Sequence, residues 1–157
     1  MPLRITRHDG AFNDWAALRA LLAAAFAFME GRINPPSSLH AMSAADFAAK
    51  AEAEILLLAH DGPALLGCLY ARPEEDALYL GKIAVAPGAQ SRGIGRALVE
   101  AAAEEARARA LPALRLQTRI ELTENHAAFA AMGFVKTAET AHAGYARPTS
   151  ITMTRRL

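Results

Sequence analysis

The segment that most constrains this chain is residues 85–96, where an apolar strand leads through a loop with two glycines into a long helix. Gly93 and Gly95 have no side chain, so the backbone can approach a ligand closely at both positions. The first turn of the helix presents unpaired N–H groups and the positive end of the helix dipole. Because Arg92 and Arg96 add positive charge at the same end, the segment predicts a binding site for an anion such as a pyrophosphate.

Two other interpretations of this loop are weaker. A dinucleotide-binding fold needs a third glycine, but Leu98 stands at that position, and the loop follows a β-meander instead of opening a βαβ unit. The second interpretation is that the two glycines serve only close packing, which would be sufficient to explain an isolated Gly-x-Gly sequence. The complete run of residues 90–95, placed between a strand and a helix, favours a binding role instead.

The composition favours a single folded domain over residues 1–157, which is long enough to bury about two-thirds of its surface. Lysine and arginine total 17 while aspartate and glutamate total 16, and this balance argues against a nucleic-acid partner. Hydrophobic residues at 53% and charged residues at 21% exclude a disordered chain. Cys68 is the single cysteine and the five histidines lack metal-site spacing, so we expect neither a disulfide nor a metal.

The sequence also bears on location. The apolar stretch of residues 21–29 is too short to span a bilayer, and the first four residues do not resemble the start of a signal peptide. We therefore expect a soluble cytoplasmic protein that does not associate with a membrane.

Apolar periodicity predicts the order β-α-α-β-β-β-α-β-α-β-β. Asn13 is a candidate cap for the first helix, and Ser43 with Asp46 resembles a capping box for the second. The apolar runs 55–59 and 65–71, separated by a turn sequence, predict a hairpin that a third antiparallel strand extends. The fold class is therefore α/β, with a mixed (α+β), mostly antiparallel sheet covered by helices.

The run Gln-Ser-Arg-Gly-Ile-Gly at residues 90–95 resembles the Gln/Arg-x-x-Gly-x-Gly/Ala signature of the GNAT superfamily of acyl-CoA-dependent N-acetyltransferases. Val85 and Pro87 stand upstream at the usual spacing. A second segment, residues 125–134 with its closing Met-Gly-Phe, is similar to the helix that follows the fifth strand in this family. The resemblance covers about residues 54–140 well and, through the order of elements, nearly the whole chain.

The resemblance implies that the fourth and fifth strands, residues 77–85 and 114–118, splay apart where an acetyl thioester meets an amine. The strand before the loop would bind the pantetheine arm of acetyl-CoA as cosubstrate, and the loop would bind its pyrophosphate. The residues implied in acetyl-CoA binding are Ile83, Ala84, Val85, Gln90, Ser91, Arg92, Gly93, Ile94, Gly95, Arg96 and Asn125.

In this family the substrate amine attacks the thioester carbonyl directly. Phe129 stands where many members carry a tyrosine that protonates the coenzyme A thiolate, and Thr123 stands where many carry an asparagine. Water can protonate a thiolate with a pKa of about 8.5, so these departures do not exclude activity.

Tyr145 and His142 are the candidate catalytic residues, because they lie in the connection between the last two strands, which can overhang the notch in GNAT-like folds. A merely loop-forming role is the competing interpretation for both. His126 is more typical of a packed or solvent-facing histidine, and Tyr79 is expected in the core.

Acceptor recognition is expected from the first helix and the loop after it. A double proline fixes the path of this loop, and its polar side chains are suited to contact an acceptor. The competing interpretation is a rigid surface loop without a binding role. Arg119 and Glu121 follow the fifth strand near the expected acceptor pocket, and a solvated charge pair is the competing interpretation for both. The candidate substrate-binding residues are Glu30, Arg32, Asn34, Ser37, Arg119 and Glu121.

Three functional hypotheses follow from the sequence. The main one is an N-acetyltransferase that moves an acetyl group from acetyl-CoA to a primary amine of a small molecule in a ternary complex. Phe129 motivates the second, a non-catalytic acyl-CoA-binding or regulatory module. The third is a protein or peptide N-acetyltransferase. The sequence is compatible with both a monomer and a homodimer.

Overall fold

A seven-stranded sheet with helices on both faces forms the protein in the computed structural model, which describes residues 3–157. The strands are β1 (Leu3–Arg7), β2 (Ile55–Asp61), β3 (Ala64–Pro73), β4 (Leu78–Val85), β5 (Ala113–Arg119), β6 (Val135–Thr140) and β7 (Ser150–Arg156). The helices are α1 (Trp15–Phe26), α2 (Ala44–Ala53), α3 (Ile94–Ala108) and α4 (Thr123–Ala131). The predicted order of elements and the mixed α/β fold are confirmed.

Side-chain caps set the starts of the first two helices. The prediction for Asn13 was wrong, because the neighbouring Asp14 directly precedes α1 and its carboxylate accepts a hydrogen bond from the Ala17 amide at 3.1 Å. The capping box of α2 is confirmed. Ser43 Oγ accepts from the Asp46 amide at 3.2 Å, and Asp46 Oδ2 accepts from the Ser43 amide at 2.8 Å.

The sheet is buried on both faces at β2 and β3, which explains why these strands are largely apolar instead of alternating with polar residues. Leu57 packs in the core on the α3 face, while its neighbour Leu58 packs in the core on the α1 and α2 face. Tyr70 lies in the second core, where its hydroxyl donates to the Phe47 carbonyl at 2.9 Å. No helix in residues 3–157 is long and apolar enough to cross a membrane.

The strands follow the order β1-β2-β3-β4-β5-β7-β6, and β4 with β5 is the parallel pair. Three residue pairs join these two strands, from Leu78 opposite Leu114 to Leu80 opposite Leu116. Beyond Leu80 the strands separate, so residues 81–85 have no strand partner on the β5 side. The expected splay between the fourth and fifth strands is therefore confirmed.

A β-bulge lies in β4 where the splay begins. Two steps along β3, from Tyr70 to Cys68, match three steps along β4, from Gly81 to Ala84, so β4 carries one extra residue. Lys82 lies within this bulge with a left-handed φ of 51°, which is uncommon for a residue with a side chain. The bulge changes which β4 side chains face the separated part of β5.

Close packing at Gly67 places the loop between β4 and α3. A Cβ atom at Gly67 would lie 2.9 Å from Ile94 Cγ2, closer than carbon atoms pack. The absence of a side chain therefore lets the first turn of α3 lie directly against β3, and the start of this helix is fixed relative to the sheet.

Candidate active site

The loop before α3 borders a cavity of about 450 Å³, here called the loop cleft, between the end of β4, α1 and α4. Ten of the eleven residues predicted for acetyl-CoA line it, which are Ile83, Ala84, Val85, Gln90, Ser91, Gly93, Ile94, Gly95, Arg96 and Asn125. Among the described residues, no aspartate or glutamate lines this cleft. Its electrostatics therefore suit an anion.

The backbone of the loop leaves amide groups available at the start of α3. Ser91 and Gly93 adopt left-handed φ values of 74° and 77°, which turn the chain sharply into the helix. Gly93 is the N-cap and offers no side-chain hydrogen bond, and the first helical bond runs from the Ala97 amide to the Gly93 carbonyl. The amides of the first turn are thus uncapped and can bind an anion together with the helix dipole.

Gly95 keeps space open in the loop cleft. A Cβ atom there would lie 3.8 Å from Val85 Cγ2 and 3.9 Å from Met132 Cε, which are ordinary contact distances. Packing within the protein therefore does not require glycine at this helical position, where glycine costs about 0.5–1 kcal/mol relative to alanine. The missing side chain leaves space open in the loop cleft.

The two arginines of the loop have different positions. Arg96 lines the cleft and donates to the Ala131 carbonyl at 3.3 Å. Arg92 lies outside the cleft lining and forms an ion pair with Asp61 Oδ2 at 3.0 Å. The arginine charge at the cleft therefore comes from Arg96.

The separation of β4 from β5 opens a second cavity of about 280 Å³, here called the notch. Its polar lining consists of Ser37, Ser38, Tyr79, Lys82, Gln117, Thr118, Arg119, Asn125, His142 and Ser150. The notch and the loop cleft share five lining residues, which are Phe26, Met29, Ile83, Asn125 and Phe129. The two cavities therefore adjoin at the end of β4.

His142 enters the notch from the connection between β6 and β7. Its Nδ1 hydrogen bonds with Thr149 Oγ1, and its backbone amide donates to the same oxygen at 2.9 Å. Partial burial, together with the positive charge of Arg119, lowers the pKa of His142 below its ordinary 6.5, and Glu121 opposes this shift. The imidazole is therefore mostly neutral at neutral pH, with the ring held through Nδ1.

Tyr145 lies in the same connection but is not part of the notch lining. Its hydroxyl donates to Asn34 Oδ1 at 2.7 Å, and its backbone amide donates to the His142 carbonyl at 3.0 Å. The contact with Asn34 joins the β6–β7 connection to the chain that follows α1. The structure therefore places Tyr145 outside the notch lining, in contact with Asn34 and His142.

The chain between α1 and α2, residues 27–43, is here called the α1–α2 segment, and it is held at the notch by side chains that follow or end β5. Arg32 Nη2 donates to both carboxylate oxygens of Glu124 at 2.8 Å. The Asn34 amide donates to Glu121 Oε2 at 3.1 Å. Arg32, Asn34 and Glu121 were predicted as acceptor-binding residues, and the structure joins them to other protein groups.

Arg119 fixes the double proline of this segment. Its guanidinium donates to the Pro35 carbonyl at 2.6 Å and to the Pro36 carbonyl at 3.2 Å. Ser37 caps a short 3₁₀ helix by accepting from the Leu39 amide at 3.2 Å, and it also lines the notch. Glu30 lines a separate cavity of about 350 Å³ against α1 and lies 4.0 Å from His40.

Tyr79, Lys82 and Gln117 line the notch but were not predicted as site residues. The expected core position of Tyr79 was wrong, because its half-buried ring lines the notch, with the Arg72 guanidinium 4.2 Å from the ring centroid. Lys82 is the one charged residue in the apolar run 77–85, which was an available signal. Burial raises the pKa of Tyr79 and lowers that of Lys82.

Several solved structures share this fold. The PaiA N-acetyltransferase from Thermoplasma acidophilum, in complex with coenzyme A, superposes with a TM-score of 0.83 at 13% identity, covering 100% of both chains. A GNAT family acetyltransferase from Elizabethkingia anophelis with acetyl-CoA bound gives 0.71 at 20% identity, covering 99% of this chain and 98% of that one. The ribosomal-protein-S18-alanine N-acetyltransferase from Escherichia coli gives 0.71 at 21% identity, covering 99% and 94%.

Sequence comparison identifies the family. No curated protein sequence matches this chain. The model of the acetyltransferase (GNAT) family matches residues 15–134, which include the loop cleft, both splayed strands and α4. The chain therefore belongs to the GNAT acetyltransferase family and is an acetyltransferase.

Proposed function

We propose that this enzyme transfers the acetyl group of acetyl-CoA to a primary amine of a small molecule by direct attack in a ternary complex. The observation that carries the proposal is the junction of two cavities at the end of β4. One cavity has an uncapped helix start and no acidic lining, and the other contains a neutral histidine. They share Ile83 and Phe129, so a ligand in the first can present a reactive end to the second.

The residues present fit acetyl-CoA. The first-turn amides of α3 and Arg96 would hold the pyrophosphate, in the space that the missing side chain of Gly95 leaves. Residues 81–85 have backbone groups without a strand partner on the β5 side, so they would pair with the amides of the pantetheine arm. Acetyl-CoA supplies the activated acetyl group, and the chain supplies binding and orientation.

The reaction forms a bond between the acceptor nitrogen and the acetyl carbon and breaks the bond from that carbon to sulfur. The attacking amine must lose a proton, and His142 is the group in the notch with the chemistry to accept it. Phe129 cannot donate a proton, so water protonates the departing thiolate, whose pKa of about 8.5 permits this. Unpaired backbone N–H groups beside the splay would stabilise the negative charge on the carbonyl oxygen.

A small acceptor is supported by the way the α1–α2 segment borders the notch. Arg119, Glu121, Glu124 and Tyr145 each hydrogen bond to this segment, which fixes it next to a cavity of only about 280 Å³. A protein acceptor would need an open groove for the residues that flank its amine. This argument favours a free small amine over a peptide.

The test is coenzyme A release from acetyl-CoA, followed with a thiol reagent, over a panel of small primary amines and amine-bearing peptides. We expect acetyl-CoA to bind in calorimetry and turnover to occur on small amines. Absence of binding at millimolar acetyl-CoA would refute the proposal. Turnover on peptides alone would show that the acceptor is a protein or peptide instead of a small molecule.

A further inference from the structure

Lys82 holds an unusual position in the wall of the notch. The β4 bulge places it in a left-handed conformation with φ 51°, and its half-buried side chain lines the cavity. A left-handed φ costs about 1 kcal/mol or more for a residue with a side chain. Strain of this kind persists where the surrounding structure enforces it, and here the bulge re-aims a long cationic side chain toward the reaction space.

Within residues 3–157, the ammonium of Lys82 forms no ion pair with a carboxylate. Its Nζ donates to Ser38 Oγ at 3.2 Å, and within residues 3–157 no carboxylate oxygen lies within 4.0 Å of it. Lys50, a nearby cation, is already paired with Glu54 at 2.8 Å. Arg119, the other strongly basic side chain in the notch, donates to two proline carbonyls that it holds in place. Among the described residues, the Lys82 side chain donates to Ser38 alone, so it is a cation in the notch with donors available to a ligand.

The surroundings of Lys82 are positive. Among the described residues, no aspartate or glutamate lines the notch. Burial, with the charges of Lys50 and Arg119, lowers the pKa of Lys82, and the charge of Glu54 opposes the shift. A buried cation in such a setting is stabilised by an anionic ligand, whereas a second cation would be repelled.

We propose that the acceptor carries a carboxylate as well as its primary amine, and that Lys82 binds this carboxylate inside the notch. This inference rests on the proposed function. The apolar part of the lining, from β4, β5 and α4, would contact the remaining carbon skeleton, so amino acids with apolar side chains fit best. Diamines and polyamines fit poorly, because no acidic side chain among the described residues of the notch balances their second charge.

The experiment uses the full-length enzyme with three classes of acceptor: L-phenylalanine and L-methionine, their carboxamides, and putrescine. Rates are compared at equal concentrations of the uncharged amine. We expect kcat/KM to be about 10–100-fold higher for the amino acids than for the amides, the range set by one hydrogen-bonded charge pair. Putrescine should be the poorest acceptor.

Substitution at Lys82 gives the second readout. Lys82→Met keeps a long unbranched side chain but removes the charge, so it should lower kcat/KM about 10–100-fold for the amino acids and less than about threefold for the amides. Lys82→Arg should retain the preference for the carboxylate. Lys50→Met is the matched control, because Lys50 lies near Lys82 but does not line the notch.

The outcomes separate the two proposals. If acetyl-CoA fails to bind in calorimetry, the proposed function itself is refuted. If acetyl-CoA binds but the amides or putrescine are used as well as the amino acids, the carboxylate inference is overturned. Turnover on none of the panel, or an equal effect of Lys82→Met on acids and amides, overturns it as well.

Discussion

The loop cleft and the notch are neighbouring cavities that are built in opposite ways. The cleft is formed mainly by one continuous stretch of chain, residues 83–96, and the groups that we propose bind a ligand there are backbone amides around two glycines. The notch takes side chains from β4, β5, the β6–β7 connection and the α1–α2 segment. Its supporting contacts join distant positions, such as Asn34 and Tyr145. Recognition through backbone is therefore encoded locally, whereas recognition through side chains is assembled by the fold.

This difference matches what each cavity has to recognise. A pyrophosphate needs several N–H donors and room for close approach, and a glycine-containing helix start supplies both. An acceptor amine has to be positioned against the thioester, which requires side chains held from several directions. In the proposed function Arg119, Glu121 and Glu124 contribute indirectly, because each forms hydrogen bonds with the α1–α2 segment that borders the notch.

The largest expected effect comes from filling the space at Gly95. Gly95→Asp adds bulk and negative charge in the loop cleft, so kcat/KM for acetyl-CoA should fall about 1,000-fold. Folding should survive, because a Cβ atom at this position makes only ordinary contacts and an acidic residue suits the first turn of a helix. Steady-state kinetics and a melting temperature within about 3 °C of the parent would establish both points.

Gly88→Ala is the matched control for this change. Gly88 is exposed in the same loop, does not line the cleft, and a Cβ atom there would meet nothing within 4 Å. Acetyl-CoA kinetics should stay at the parent level. Retained acetyl-CoA affinity in Gly95→Asp would show that the loop cleft is not the phosphate site.

Removal of the candidate base tests the notch. His142→Gln should lower kcat/KM about 100-fold, the usual scale for a positioned proton acceptor. In the parent enzyme, activity should fall as the pH drops through the pKa of His142, which lies below 6.5, because imidazolium cannot accept a proton. This loss of activity at low pH, the acid limb of the pH profile, should be absent in the variant.

His60→Gln controls for the loss of a histidine as such. Burial, with a contribution from Arg4, also lowers the pKa of His60, but this residue lies on β2 and lines neither cavity. Its pH profile should match that of the parent. An unchanged acid limb in His142→Gln would exclude His142 as the proton acceptor.

Release of the α1–α2 segment should affect the acceptor and spare the coenzyme. Arg119→Met removes the donors to the Pro35 and Pro36 carbonyls, so the KM for the acceptor should rise about tenfold while acetyl-CoA affinity changes less than about twofold. Arg115→Met is the control on the same strand. Both terminal nitrogens of Arg115 donate to the Asp76 carboxylate, and neither residue lines the notch. Equal losses of acetyl-CoA affinity and acceptor affinity would show that the two cavities do not bind their ligands independently.

The smallest effect is expected where the cavities meet. Phe129→Tyr adds a hydroxyl to a ring that packs against Phe134 at a centroid distance of 5.9 Å. Because water already protonates the thiolate, kcat should change by less than about threefold. An increase of about 100-fold in kcat would instead show that thiolate protonation limits the parent enzyme.

The sequence was sufficient for the parts whose signals are local. The capping box of Ser43 and Asp46 and the order of strands and helices follow from short-range patterns. The resemblance of residues 90–95 to the family signature implied the ten residues that line the loop cleft. The cap of α1 is harder to assign, because Asn13 and Asp14 are adjacent and both residue types can cap a helix. The choice of Asp14 over Asn13 as the cap depends on the exact start of the helix at Trp15.

The notch was harder to predict because its composition depends on tertiary geometry. Tyr79 has the pattern of a core residue, but it lines the notch next to the point beyond Leu80 where β4 and β5 separate. The position of Lys82 in the notch depends on a bulge that apolar periodicity does not reveal. The contact of Tyr145 with Asn34 joins two loops far apart in the chain, so no local pattern could indicate it.

A structure of the enzyme with coenzyme A bound is the most direct test that two differently built cavities meet at one reaction centre. We predict the pyrophosphate on the backbone amides of residues 93–96 and the sulfur beside Ile83 and Phe129, where the loop cleft adjoins the notch. A pyrophosphate bound away from the start of α3, or a sulfur outside that junction, would contradict the account.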